Sequence, residues 1–187
     1  MNILTSSFVF IFTLFSVAFF QGTFCGENCA NRWRGMLFGM TNRAGWTGGG
    51  GWNGKDPNDN QHLWKLWDSF SIEEADMYGW WNRTNPVTVT PANAGIYATA
   101  FVRVGALGET LVALASWNES DVDVNIVVDW TAIGIPATTA NSTAQVVAPL
   151  LPSFNHAQTQ VAFPVSAGGG VGTMRVPGLK GLLVVIS

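Results

Sequence analysis

The sequence predicts a mainly β protein built around an antiparallel β-sandwich of about eight strands. Three observations carry that expectation. After Asn85-Pro86 the apolar period changes from 3.6 to 2. Asp121-Val122-Asp123-Val124-Asn125-Ile126-Val127-Val128 alternates almost without error, as a strand with one wet and one buried face does. The rest of that half is a series of short β-rich segments parted by Gly, Pro and Asn signals.

The chain starts with an address. Ile3 to Phe20 carries no charge and is rich in Phe, Leu, Val and Ile. Small residues at Thr23 and Cys25 fit the −3 and −1 positions of a signal-peptidase site, so residues 1–25 read as a signal peptide and 26–33 as a junction. The competing reading is an uncleaved membrane anchor, because the run is just long enough to span. The expected location is secreted, with membrane anchoring as the alternative. Asn82-Arg83-Thr84, Asn118-Glu119-Ser120 and Asn141-Ser142-Thr143 are acceptor tripeptides for N-glycosylation and agree with a secretory route. After cleavage Cys29 is a single thiol, with no His/Asp arrangement beside it to make it a nucleophile.

Met36-Leu37-Phe38-Gly39-Met40 is a short apolar run and predicts a strand buried on both faces. The Gly density from Gly48 to Gly54 makes the next stretch a loop. Leu63, Trp64, Leu66, Trp67 and Phe70 then form one helical stripe, with Asn60 as N-cap. Ser71-Ile72-Glu73-Glu74 reads as a capping box opening a second short helix that runs to Tyr78 and stops at Gly79. Strands are expected at 87–90, 96–104, 110–117, 121–128, 143–150, 158–165, 171–176 and 181–186. Gly105-Ala106-Leu107-Gly108 supplies a hairpin turn, and residues 129–133 one helical turn.

Composition removes several function classes. Hydrophobic residues make up 48% of the chain and net charge is only −3, which excludes disorder. Two Cys cannot frame a disulfide scaffold. Nine Lys and Arg scattered through an acidic chain exclude nucleic-acid binding as the main task. No metal or cofactor is expected. His62 and His156 stand at no ligand spacing. Asp56-Pro57-Asn58-Asp59-Asn60-Gln61 begins like a calcium loop, but Gln61 replaces its turn Gly and Trp67 its bidentate Glu. The Gly48 to Gly51 run lacks the Lys-Ser/Thr of a phosphate loop.

Two blocks then acquire a meaning. Gly35-Met36-Leu37-Phe38-Gly39-Met40-Thr41-Asn42-Arg43-Ala44-Gly45-Trp46 is followed by Leu63-Trp64-Lys65-Leu66-Trp67-Asp68 with its trailing Gly79-Trp80-Trp81. With Leu111-Val112-Ala113-Leu114-Ala115-Ser116-Trp117, they resemble the C-terminal part of glycoside hydrolase family 123-like proteins. In those proteins a catalytic (β/α) barrel precedes a C-terminal β-sandwich. The resemblance implies that residues 34–85 are the last strand–loop–helix unit of a truncated barrel and 86–187 the sandwich. It also implies an adjacent Asp-Glu pair working with the substrate's own acetamido group. No Asp-Glu dipeptide occurs in this sequence, so no catalytic residue carries over. A leader joined directly to such a tail suggests a truncated gene, a splice form or a faulty gene model.

The remaining carboxylates have plain roles. Glycosidases hold two carboxylates roughly 5 to 10 Å apart across a cleft. Glu73, Glu74 and Asp76 fall in the first turn of the expected second helix, where the dipole favours them. Asp121 and Asp123 fall on a solvent face. The carbohydrate-contact candidates are Arg43, Trp46 and Trp52, because the implied barrel puts their loop on the substrate face. Indole rings stack on sugars, and Arg reaches hydroxyl or carboxylate groups. The alternative is that both Trp pack beneath the loop. Trp64, Trp67, Trp80 and Trp81 are expected in the core. The expected function is a secreted, non-catalytic fragment or accessory domain of a glycoside hydrolase. The alternatives are a stand-alone lectin-like carbohydrate-binding module, or a subunit that completes a barrel with a second chain.

Overall fold

The structure, a computed structural model, describes residues 32–39, 59–103, 109–135, 143–151, 159–165 and 169–187. Helix α1 (Arg32–Leu37) comes first, then α2 (Asp59–Phe70) and a 3₁₀ turn at Ile72–Glu74. Nine strands follow among the described residues: β1 (Asp76–Tyr78), β2 (Val87–Thr90), β3 (Ile96–Val102), β4 (Thr110–Ser116), β5 (Val122–Val128), β6 (Thr143–Ala148), β7 (Thr159–Pro164), β8 (Gly170–Val176) and β9 (Gly181–Ile186).

The strands make two antiparallel sheets, ordered β1-β3-β4-β9-β6-β7 and β2-β5-β8. The mainly β sandwich expected from the sequence is what forms. Alternation sets each face. On β5, Val124, Ile126 and Val128 are buried in the core between the sheets while Asp123 stays exposed. Its register on β8 sets Val124 opposite Met174 and Asp123 opposite Arg175. From the larger sheet Ala98, Ala100, Val112, Leu114, Val184 and Ile186 meet the same core.

The larger sheet is covered on its other face as well, which explains why β4 is buried along its whole length. Leu111, Ala113 and Ala115 of β4 join Phe101 and Leu183 in a second apolar cluster with Met36 and Leu37 of α1 and Leu63, Trp67 and Phe70 of α2. The stripe on α2 is the one its 3.6 periodicity predicts. The molecule is thus layered helix, sheet, sheet.

Three local expectations are corrected. Met36 and Leu37 close a helix rather than sitting in a strand. A short apolar run has no period long enough to separate strand from helix, and burial on the sheet needs only these two side chains. The capping box at Ser71 does not form. Ser71 sits at φ 55° without a side-chain cap bond, and only the 3₁₀ turn follows. Glu74 reaches Arg103 instead, at 3.3 Å, and residues 76–78 pair with β3 as a strand. Helix α2 starts at Asp59, so Asn60 lies within its first turn rather than at its cap. The expected turn at 129–133 is present, with the Ile133 N–H donating to the Asp129 carbonyl at 3.2 Å. The leader, Cys29, the Gly-rich loop, the 105–108 turn and His156 lie outside the described residues.

Candidate functional site

Five aromatic rings from four parts of the chain touch in series on the surface. Phe38, just after α1, stacks on Trp81 with centroids 6.0 Å apart. Trp81 meets Trp80 edge-on at 5.9 Å. Trp80 meets Tyr97 of β3 at 4.7 Å, and Tyr97 meets Trp117 edge-on at 5.0 Å. All five are exposed, Trp81 most of all at 55%. Single exposed apolar side chains are ordinary, but a contiguous aromatic patch marks a contact surface.

The sequence builds this ribbon by fixing the turn that bears the two Trp. Gly79, Trp80, Trp81 and Asn82 form a β-turn in which the Asn82 N–H donates to the Gly79 carbonyl at 2.8 Å. A Cβ on Gly79 would lie 2.5 Å from Trp81 Cζ2, so any side chain at 79 would displace this indole from its place in the ribbon. Thr99, fully buried on β3, ties the turn to the helical layer. Its hydroxyl donates to the Leu37 carbonyl at 2.7 Å and accepts from the Trp80 N–H at 3.1 Å. Asn85 closes the far side, donating to the Ala98 carbonyl at 2.9 Å and accepting from the Val87 N–H at 2.9 Å. The rings are therefore held in place before any ligand arrives, which lowers the ordering cost of binding.

Four carboxylates, Glu74, Glu109, Asp121 and Asp123, are held by arginines. Arg103 bridges Glu109 at 2.8 Å and Glu74 at 3.3 Å. Arg175 bridges Asp121 at 3.3 Å and Asp123 at 3.5 Å. The Gly178 N–H and then Arg175 hold the Asp121 carboxyl below its ordinary value of 3.8. That is opposite to what a general acid needs near neutral pH. Among the described residues no group of three or more His, Cys, Asp or Glu could hold a metal ion. No helix among them is long and apolar enough to cross a membrane.

Of the residues singled out from sequence, Arg43, Trp46, Trp52 and Asn141 lie outside the described residues. Trp67 is buried and Trp64 packs partly against the helical cluster, as expected. Trp80 and Trp81 correct the reading of them as core, since their turn carries them to the surface. Phe38, Tyr97 and Trp117 are expected from sequence only as members of strands, Phe38 in one buried on both faces, whereas all three lie on the surface. The one available signal was positional: Gly79 and Asn82 bracket the Trp pair as turn residues. Of the glycosylation candidates, Asn82 is exposed and Asn118 is half-buried.

A family model described as "Glycoside hydrolase 123, C-terminal domain" matches residues 59–187, from the first residue of α2 onward. No curated protein matches the chain.

Proposed function

Because the chain belongs to the glycoside hydrolase 123 C-terminal domain family, we propose that it is a secreted, non-catalytic accessory domain that touches carbohydrate through its aromatic ribbon. The ribbon carries this reading. Sugar rings present apolar C–H faces that settle on indole and phenol rings, with hydroxyls left in water or on rim groups. Five such rings in contact, anchored by Thr99 and Asn85, offer a fixed surface of that kind. Four carboxylates, Glu74, Glu109, Asp121 and Asp123, are paired with Arg103 or Arg175 and serve the fold. The proposed partner is carbohydrate.

The test uses the purified chain against a panel of oligosaccharides containing N-acetylhexosamine. Saturable binding is expected, weakened about 3- to 10-fold by Trp80→Ala or Tyr97→Ala, the span of one aromatic contact. Absent binding, or affinity unchanged in both variants, overturns the sugar contact. Turnover of N-acetylhexosaminides above a heat-killed control would overturn the non-catalytic assignment.

A further inference from the structure

We propose that Asn82 carries an N-linked glycan whose first sugar packs on Trp81. The inference rests on the secretory part of the proposed function and is independent of free-sugar binding. Asn82 stands where two turns meet, its N–H donating to the Gly79 carbonyl at 2.8 Å and its carbonyl accepting from the Asn85 N–H at 3.1 Å. Its side-chain oxygen accepts from the Thr84 N–H at 3.0 Å and from the Thr84 hydroxyl at 2.9 Å. In the folded chain the tripeptide therefore keeps a local turn in which the Thr84 hydroxyl meets the Asn82 amide oxygen and Nδ2 is left outward of it. Among the described residues no hydrogen bond engages Asn82 Nδ2.

The chemistry is a group transfer that needs a lipid-linked oligosaccharide pyrophosphate as donor. The amide nitrogen bonds to C1 of the donor's first N-acetylhexosamine. The C1–O bond to pyrophosphate breaks, the lipid pyrophosphate departs, and Nδ2 gives up one proton. Transfer precedes folding, so the folded structure decides which glycosylated chains can fold. At Asn82 it accepts the addition unchanged. Trp81 is the preceding residue and is 55% exposed, so an exposed indole face lies one residue from the attachment point and within reach of the first sugar.

Asn118 is the opposite case. Its Nδ2 donates to the Ala94 carbonyl, and its own carbonyl accepts from the Leu179 N–H at 2.6 Å. A Cβ on Gly95 would lie 2.8 Å from that Nδ2, which leaves no room for a sugar. A glycan there breaks the knot between the 94–95 and 178–179 segments. Chains that fold therefore carry sugar at Asn82 and not at Asn118. The glycan then takes the Trp81 end of the ribbon and leaves Trp80, Tyr97 and Trp117 to other ligands.

The full chain is expressed in a eukaryotic secretory host, and its glycans are released in heavy-oxygen water for peptide mass mapping. Most secreted molecules should be marked at Asn82 and few at Asn118. Asn82→Gln should lower Tm by about 2–4 °C more in the secreted chain than in bare chain made in bacteria, and Trp81→Ala should remove that excess. A bare Asn82 beside an occupied Asn118 or Asn141 overturns the inference and leaves the secretory reading standing. No glycan anywhere, with the chain retained in cells, overturns both. An occupied Asn82 without the Trp81-dependent excess overturns the packing, whatever the sugar panel shows for the ribbon.

Discussion

One hydroxyl, that of Thr99, joins three pieces of the molecule: the end of α1, strand β3 and the Trp turn. It is fully buried, so its loss leaves the Leu37 carbonyl and the Trp80 N–H to find other partners. Thr99→Val keeps the shape and is expected to cost about 1–3 kcal/mol, whereas Thr99→Ser should lose much less. Denaturant midpoints at constant slope check this; equal losses in both would mean that packing rather than the hydroxyl matters. Asp121 offers a pH test. Its carboxyl is depressed in the folded chain by the Gly178 N–H and Arg175. A depressed folded pKa contributes stability above the ordinary value, and that contribution is lost as pH falls through the folded one, here below about pH 4. Carboxyl NMR should place the Asp121 midpoint below 3.8, and Arg175→Ala should move it upward. A midpoint indifferent to Arg175→Ala would leave the Gly178 bond and the Lys180 charge as the causes.

At the level of elements, the β8–β9 connection is clamped to the segment after β4. A Cβ on Gly178 would overlap the Glu119 carbonyl, and backbone cannot swing aside as a side chain can. Gly178→Ala is expected to cost at least about 1–3 kcal/mol by overpacking, measurable as a lowered Tm. On α2, Trp67 is 1% exposed at the centre of the helical layer, and Trp67→Ala should cost about 3–5 kcal/mol. These elements differ in how well the sequence announced them. Strand β5 shows its expected faces because its alternation runs over seven residues, and β9 follows its expected bounds as a continuous apolar run that a strand covered on both faces requires. Helix α2 was legible from its stripe. Residues 36–37 were not, since burial asks the same apolar residues of a strand end and a helix end. Ser71 misled because the four-residue spacing of a capping box says nothing of φ, and tertiary contact with Arg103 claimed Glu74. The ribbon was illegible for a different reason. Its rings come from positions 38, 80, 81, 97 and 117, and no one-dimensional period relates them.

For the molecule as a whole, the helical layer is part of the fold. Phe101, Leu111, Ala113, Ala115 and Leu183 face it, and without it the larger sheet presents an apolar plane. A chain trimmed to 86–187 loses both helices and β1, and is expected to bind a hydrophobic dye and aggregate. A soluble fragment that unfolds cooperatively would show that the layer is dispensable. Sheet order has a further effect, on timing. Strand β9 lies between β4 and β6, so it bridges the two halves of the six-stranded sheet. During synthesis β1, β3 and β4 emerge early and β6 and β7 later, yet neither group can close on the other until residues 181–186 have left the ribosome. The Asn82 and Asn118 tripeptides are then both presented on an open chain, for the time needed to add roughly 100 and roughly 70 further residues respectively, at about 5–20 residues per second. Whatever is written on the chain in that interval is written before the fold can object, and closure of β9 is the step at which the finished molecule accepts or rejects it.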